Sequence, residues 1–535
     1  MTKKDTIKEI QIYWPDRTFS LLSNPAKNRT HIIYQDSINS LPVSRPESHE
    51  SNPILVKVDH IFIGNTRHRE DNFIDFHAER LIPNMLSNQG PSIAVGDLNG
   101  DKLDDVILCG AKGDYTKMFL QNTQGKLVEK KDRELMNDSI FEDTDLALYD
   151  HDADGSLDLL ISSGGNEYPE GSEGLATRLY FNDGKANFLP MPMLSPPAHI
   201  NTGCVRIRTL ENGPTLLFLG GRSITKNYGL NPASYVMMNI AGKWTDITPE
   251  FLKRIGMVTD ALWTDYNKDG FIDLIVVGEW MPITFIKNNG KSLEMDFQQP
   301  NSSGWWNSIS EADFNNDGFK DYIVGNWGLN SKFRASPEHP ILMYVNDFDR
   351  NQQLDPIICL FNPTDSKTYP YSSRIDIITQ MPILKKDNLK YSEYAVKSFD
   401  QLFTEEQRKN TITKSVNTLA NSVLFNEQGK SFRLEALPWQ TQIAPAFASF
   451  DLGKNHYLTA GNFYKSKPEI GRMDAGYGDI LHFDQTNGKF EVIDNKITGM
   501  YLNGEVRDIK PISIKGQKYI IVAFNDAPVS VYKVF

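Results

Sequence analysis

Along the chain, short stretches that alternate polar and apolar residues (SIAVG, LALY, ALWT, SISEA) are each followed, after an acid-rich segment, by a nearly continuous apolar run: VILCG, LLISSGG, LIVVGEW and YIVGNWG. Period-two alternation predicts strands buried on one face, and short apolar runs bounded by turns predict strands buried on both. A third strand then ends in an Asn/Gly turn, as in MFLQNTQGK, LYFNDGKANF and FIKNNGKSL. The unit is a small antiparallel sheet whose first hairpin turn is rich in aspartate.

The acid-rich segments repeat. DLNGDKLDD begins at Asp97, DHDADGSLD at Asp150, DYNKDGFID at Asp265 and DFNNDGFKD at Asp313. Their starts lie 53, 115 and 48 residues apart, so a unit without the acidic turn is expected near position 207. CVRIRTLENGPTLLFLGG (204–221) supplies its two strands around a plain Glu211-Asn212-Gly213 turn. Two further loopless units, AFASFDLGKNHYLTAGN (446–462) and VRDIKPISIKGQKYIIVAFN (506–525), bring the count to seven.

Units of this length with about four strands each predict an all-β, seven-bladed β-propeller over residues 51–535. The last unit shows three strands before Phe535, so a strand near Ile54–Phe62 is expected to close the ring. An open solenoid is the alternative, but its end units should look like caps. Residues 1–50 form a small β segment of their own that ends in a polar linker, SRPESHESNP (44–53). An insertion at about 362–417 interrupts the repeat. Its Val396, Phe399, Leu402 and Phe403 stand at helical spacing, and Thr404 with Gln407 could cap a second short helix.

Carboxylates at alternate positions of a tight loop can converge on Ca²⁺, which takes six to eight oxygen ligands. Asp265, Asn267, Asp269 and Asp273 occupy positions 1, 3, 5 and 9, with the Phe271 carbonyl available at 7 and Gly270 permitting the turn. The equivalents are Asp150, Asp152, Asp154 and Asp158, and then Asp313, Asn315, Asp317 and Asp321. In Asp97, Asn99, Asp101 and Asp105 the position-6 glycine is replaced by Lys102, which predicts a strained or weaker site. A degenerate fifth loop offers Asp347, Asp349, Asn351 and Asp355, placed on a later hairpin of the fifth blade. The expectation is about four Ca²⁺ sites, with the fifth loop a further candidate. An EF-hand is excluded, because position 12 holds Leu108, Ile161, Val276 or Val324 instead of a bidentate Glu. Four loops as bare turns would crowd thirteen carboxylates at short range without a cation.

Composition adds limits. A formal charge of −12 argues against nucleic-acid and anionic-membrane partners, which demand a basic surface. Cys109, Cys204 and Cys359 lie far apart with no CxxC pair, which indicates neither a disulfide framework nor a zinc cluster. The apolar runs are too short to span a bilayer. MTKKDTIKEIQIYWP has no signal-peptide pattern and enters directly into an alternating strand, as if cut from a longer polypeptide.

The loops resemble the FG-GAP/VCBS repeats of integrin-α-like propellers, which bind calcium in strand–loop–strand hairpins. HREDNFIDFHAERLIPNMLSNQGPSIAVGDLNGD (68–101), GNWGLNS (325–331) and GNFYKSKPEIGRMDAGYGDIL (461–481) are similar to the propeller of bacterial VCBS proteins carrying an ASPIC/UnbV module, and the opening residues are similar to the tail of that module. The resemblance implies an exported or cell-surface location and a longer parent protein, without a settled activity.

Three functions stay open: a non-catalytic recognition module for a glycan or protein, a polysaccharide-active lyase or hydrolase, and a structural part of a surface assembly. HExxH, GxSxG, P-loop and complete GxGxxG motifs are absent. His68 and His77 flank an acid-rich turn and could ligate a metal or act as acid and base; capping or packing is the simpler reading. Trp305, Trp306 and Trp327 could stack on a sugar, against the simpler reading that they pack between blades.

Overall fold

A computed structural model of the chain describes residues 7–13, 18–35, 41–42, 53–191, 199–211, 213–240 and 242–535. The expected linker, apart from Pro53, lies outside the described residues, as does Asn212 of the plain turn. The chain divides into two compact units, Met1–Asn52 and Pro53–Phe535. In the first, Glu9–Tyr13 pairs antiparallel with Thr18–Ser23, which pairs in turn with Leu41–Pro42.

The second unit is a β-propeller. Seven of its sheets run from first to fourth strand in antiparallel order. Their first strands are Ile93–Gly96, Asp143–Tyr149, Asn201–Thr209, Met257–Thr264, Ser308–Ala312, Ala446–Gly453 and Glu505–Ile514. Each of these packs beside the next, and Glu505–Ile514 packs back against Ile93–Gly96.

Apolar clusters fill the space between neighbouring sheets. Ile107 and Met118 of the first sheet meet Leu146, Ile161 and Tyr180 of the second. At the last junction, Ile512, Ile521 and Val531 of the seventh meet Ile93, Val106 and Phe119 of the first. A sheet packed on both faces needs middle strands that are apolar throughout, and Asp273–Met281 is buried at all nine positions. This accounts for runs such as DLIVVG, where alternation gives way to continuous burial.

The strand expected near Ile54–Phe62 proves to be two. Leu55–Val58 pairs antiparallel with Ser530–Val534 and completes the seventh sheet. Phe62–Ile63 pairs parallel with the edge strand of the first, Leu127–Lys130. The chain thus hands over from the last sheet to the first within a few residues.

The insertion is larger than the expected 362–417. Between Asp321–Gly325 and Ser422–Asn426, which pair directly in the fifth sheet, lies a separate four-stranded sheet of Lys367–Pro370, Asp355–Asn362, Ile341–Asn346 and Ile412–Val416. The Asp347 loop therefore belongs to this inserted sheet and not to a blade hairpin; alternation in ILMYVN looks the same in either setting. The helices at Tyr391–Tyr394 and Phe399–Leu402 are short. Phe399, Leu402 and Phe403 pack on Phe348 and Ile357, but Val396 falls between the helices and is exposed. Thr404 and Gln407 exchange the expected capping bonds, yet a turn follows in place of a helix.

Candidate metal centres

All four acidic hairpins and the inserted-sheet loop share one backbone form. Position 4 is left-handed in each, at Gly100 (φ +78°), Ala153 (+64°), Lys268 (+57°), Asn316 (+56°) and Arg350 (+62°). Position 6 is left-handed as well, at Lys102 (+67°), Gly155 (+90°), Gly270 (+89°), Gly318 (+88°) and Gln352 (+69°). The position-6 N–H donates to the position-1 carboxylate in every loop: Lys102 to Asp97 at 2.8 Å, Gly155 to Asp150 at 3.0 Å, Gly270 to Asp265 at 3.0 Å, Gly318 to Asp313 at 2.9 Å and Gln352 to Asp347 at 2.8 Å. Lys102 and Gln352 thus follow the glycine path, at a cost of about 1 kcal/mol for a side chain in the left-handed region.

In two of these loops the carboxylates of positions 1, 3 and 9 come together. Carboxylate oxygens of Asp150, Asp152 and Asp158 lie within 4.8 Å of one another, as do those of Asp347, Asp349 and Asp355. Position-5 carboxylates are spent partly on the turn: Asp101 accepts from Leu103, Asp154 from Ser156, Asp269 from Phe271 and Asp317 from Phe319, at 2.7–3.0 Å. Asp269 also pairs with Lys287 at 3.1 Å.

Position 9 opens the second strand, where burial is deep. Asp105, Asp158, Asp273 and Asp321 each accept the N–H of the last third-strand residue, from Gln121, Asn182, Asn288 and Asn426 at 2.7–2.9 Å. In the inserted sheet the Gln380 side chain takes that place on Asp355, at 2.9 Å. Burial pushes the carboxyls of Asp105, Asp158 and Asp321 up to about 6 and those of Asp273 and Asp355 up to about 7. Asp273 Oδ2, Asp313 Oδ1 and Asp349 Oδ1 are buried with no donor among the described residues. Carboxylate oxygens left in this condition are fitting donors for a hard cation, whose charge would favour the ionised form.

Position 2 was not singled out by the spacing of acids, yet it does the joining. Leu98, His151, Tyr266, Phe314 and Phe348 are all buried. Leu98 packs with Tyr180 and Phe188 of the second sheet, His151 stacks on Trp244 of the third, and Phe314 meets Tyr457 of the sixth edge-on at 4.6 Å. Phe348 packs on Phe399 and Phe403 within the insertion, whereas in the four blade hairpins position 2 inserts into the following sheet. That sheet replies with a side-chain amide: Asn182 donates to the Leu98 carbonyl at 2.8 Å, Asn239 to His151 at 3.1 Å, Asn426 to Tyr266 at 2.9 Å and Gln485 to Phe314 at 2.5 Å. The available sequence signals were an apolar or aromatic residue inside an otherwise polar loop and an amide closing the third strand.

The other candidates separate. His68 is fully buried, its pKa lowered to about 3 by burial first, whereas His77 is exposed, so the two do not work as an acid–base pair. Trp305, Trp306 and Trp327 are buried, not a sugar-stacking surface. Trp305 packs edge-on against Trp327 at 5.4 Å in a cluster that includes Ile82, Leu86 and Met343, and Trp306 lies between the fourth and fifth sheets. All three cysteines are buried and free.

The first strands line a central cavity of about 470 Å³. Its charged side chains hold sheets together: Arg206 of the third sheet binds Asp145 of the second at 2.6 Å and also Asp260 of the fourth. Asp145 accepts the Val205 N–H and Asp260 the Ile309 N–H, both at 2.8 Å.

Residues 233–324 match the FG-GAP-like repeat family, a stretch covering the third hairpin and most of the fourth. No curated protein matches the chain. Among solved structures, YCF48 from Cyanidioschyzon merolae is 8% identical, covering 84% of this chain and 96% of that one with a TM-score of 0.39. The biofilm matrix protein Bap1 of V. cholerae is 12% identical over 90% of this chain and 91% of that one, TM-score 0.36. An ancestral GH74 enzyme is 9% identical over 84% of this chain and 48% of that one, TM-score 0.41. At such identities and scores they assign neither activity nor partner.

Proposed function

We propose that the chain is a calcium-stabilised, seven-bladed propeller that acts as a non-catalytic binding or scaffold module of an exported bacterial protein, its ligand a glycan or a protein. One observation carries the reading: five loops repeat one oxygen-rich backbone form, and four of them are clasped by the next sheet through position 2. A cation in such a loop stiffens a joint between blades and need do no chemistry. The engagement of Arg206, Asp145 and Asp260 in inter-sheet bonds supports the same view, since these charges serve the ring. Loops of this kind suit a calcium-rich exterior.

The test joins two measurements on the full chain. Chelation should lower the melting temperature and added Ca²⁺ restore it, because a ligand bound by the folded state alone stabilises it. Incubation with a panel of polysaccharides should yield no product, and retention of a member would mark the ligand as a glycan. Turnover of any member would replace this reading with a polysaccharide-active enzyme.

A further inference from the structure

The sixth sheet has no acidic hairpin, yet the register of its strands brings two histidines together. His456 opens the second strand, His456–Gly461, and stands opposite His482 of the third, Asp479–Asp484. His482 stands in turn opposite Glu491 of the fourth, Lys489–Ile493. Residues opposite one another in a sheet share a face, so the three side chains form one row across three strands. Two residues along the same face, Leu458, Ile480 and Ile493 form the next row and pack with Ile509 and Ile520 of the seventh sheet. The polar row lies at the rim of that cluster, with both histidines half-buried and Glu491 exposed.

The backbone sets the two rings close. The Phe483 N–H donates to the Asn455 carbonyl at 3.4 Å, the bond that flanks His456 and His482. They are therefore a non-hydrogen-bonded pair, the kind whose Cα atoms stand about 4.5 Å apart. Their ring centroids are 5.4 Å apart and their planes are inclined at 42°, so the rings are neither stacked nor edge-on. Two imidazoles on one tetrahedral zinc ion, with Zn–N bonds of about 2.0–2.1 Å, place their centroids about 5 Å apart. The pair thus stands at chelating distance. His482 Nδ1 is buried with no hydrogen-bond partner among the described residues. Burial, and then the neighbouring His482, lowers the pKa of His456 and favours the neutral imidazole, the form that binds metal. Of the charged groups beside the row, Lys454 in the preceding turn is exposed, and Asp484 accepts from the Thr486 N–H at 2.8 Å and its hydroxyl at 2.7 Å. Imidazole nitrogens suit zinc, copper and nickel, whereas calcium takes oxygen.

We propose that His456 and His482 bind a transition-metal ion of the zinc class. Glu491, exposed and next in the row, turns its carboxylate inward as a third ligand when the ion arrives, and water completes the tetrahedron. The ion fastens the three outer strands of the sixth sheet to one another. The site differs in chemistry from the oxygen-lined hairpins and does not depend on whether they hold calcium.

Calorimetric titration of ZnCl₂ into the full chain in saturating Ca²⁺ tests it. The expected result is one equivalent of Zn²⁺ whose affinity falls more than about tenfold in His456→Ala and in His482→Ala, since loss of an outer-sphere partner alone costs that much. Glu491→Gln should weaken binding less. Should a histidine variant fail to fold, wild-type crystals soaked in ZnCl₂ and measured on both sides of the zinc absorption edge decide: a peak between the two rings supports the site, and its absence overturns it. No zinc binding, or binding that both histidine variants leave unchanged, would overturn the inference while the calcium reading of the hairpins stands. Zinc bound here by a protein that calcium does not stabilise would sink the hairpin reading and leave this one intact.

Discussion

Asp508 accepts the backbone N–H of Ile93 at 2.9 Å, across 415 positions of sequence. The bond joins the first strand of the seventh sheet to that of the first, at the seam where the ring closes. Asp508 also accepts from Ser92 Oγ at 3.0 Å, and it sits where a register shift in its own strand turns the carboxylate toward the neighbour. Asp145 and Asp260 hold the same relation to Val205 and Ile309, each beside a shift in strand register.

Asp508→Ala leaves the Ile93 N–H and the Ser92 hydroxyl without this acceptor. The expected loss is about 1–3 kcal/mol of unfolding free energy, read by urea denaturation. Asp508→Asn, which keeps one acceptor oxygen, should lose less.

Single hairpins can be tested against chelation. Asp265→Ala and Asp150→Ala should each shrink the gap in melting temperature between Ca²⁺-loaded and chelated protein, and the double variant should shrink it further. A saturating ligand at a hundred times its dissociation constant contributes about 2.7 kcal/mol per site. An unchanged gap in all three variants would mean that these loops hold no calcium.

Phe314→Ala removes a fully buried ring that the fourth acidic hairpin inserts among Tyr457, Phe483 and Phe490. A loss of about 3–5 kcal/mol is expected, measured by denaturation in saturating Ca²⁺. Calcium affinity should fall with it, because position 2 anchors the backbone that presents Asp313 and Asp321.

Asp479 opens the third strand of the sixth sheet, and burial raises its carboxyl from the usual 3.8 to about 6. Between those values the folded state holds a proton that the unfolded state has released, so this group's contribution to stability is lost as pH rises through about 6. Asp479→Asn should therefore be more stable than the wild type above pH 6 and equal to it below about pH 4. Thermal denaturation across that range checks the sign.

Much of the fold was legible because its cause is local and repeated. Alternation, apolar runs and turn residues reveal a strand wherever they occur, and seven recurrences with a strand missing at the end pointed to closure by residues near Ile54. The acidic hairpins were legible for the same reason: their positions 1, 3, 5 and 9 are neighbours in sequence, so the turn can be read without knowing what packs around it.

What the sequence by itself determined, then, is the unit and its acidic turn. The tertiary structure decided whatever depends on two distant segments meeting. It assigned the Asp347 loop to an inserted sheet, because ILMYVN pairs with ITKSV and not with a blade strand. It buried the three tryptophans that spacing could not distinguish from a surface platform. It gave Leu98, Tyr266 and Phe314 their partners in the following sheets. Local pattern encodes which face of a strand is apolar; only packing determines what that face, or an isolated carboxylate, comes to rest against.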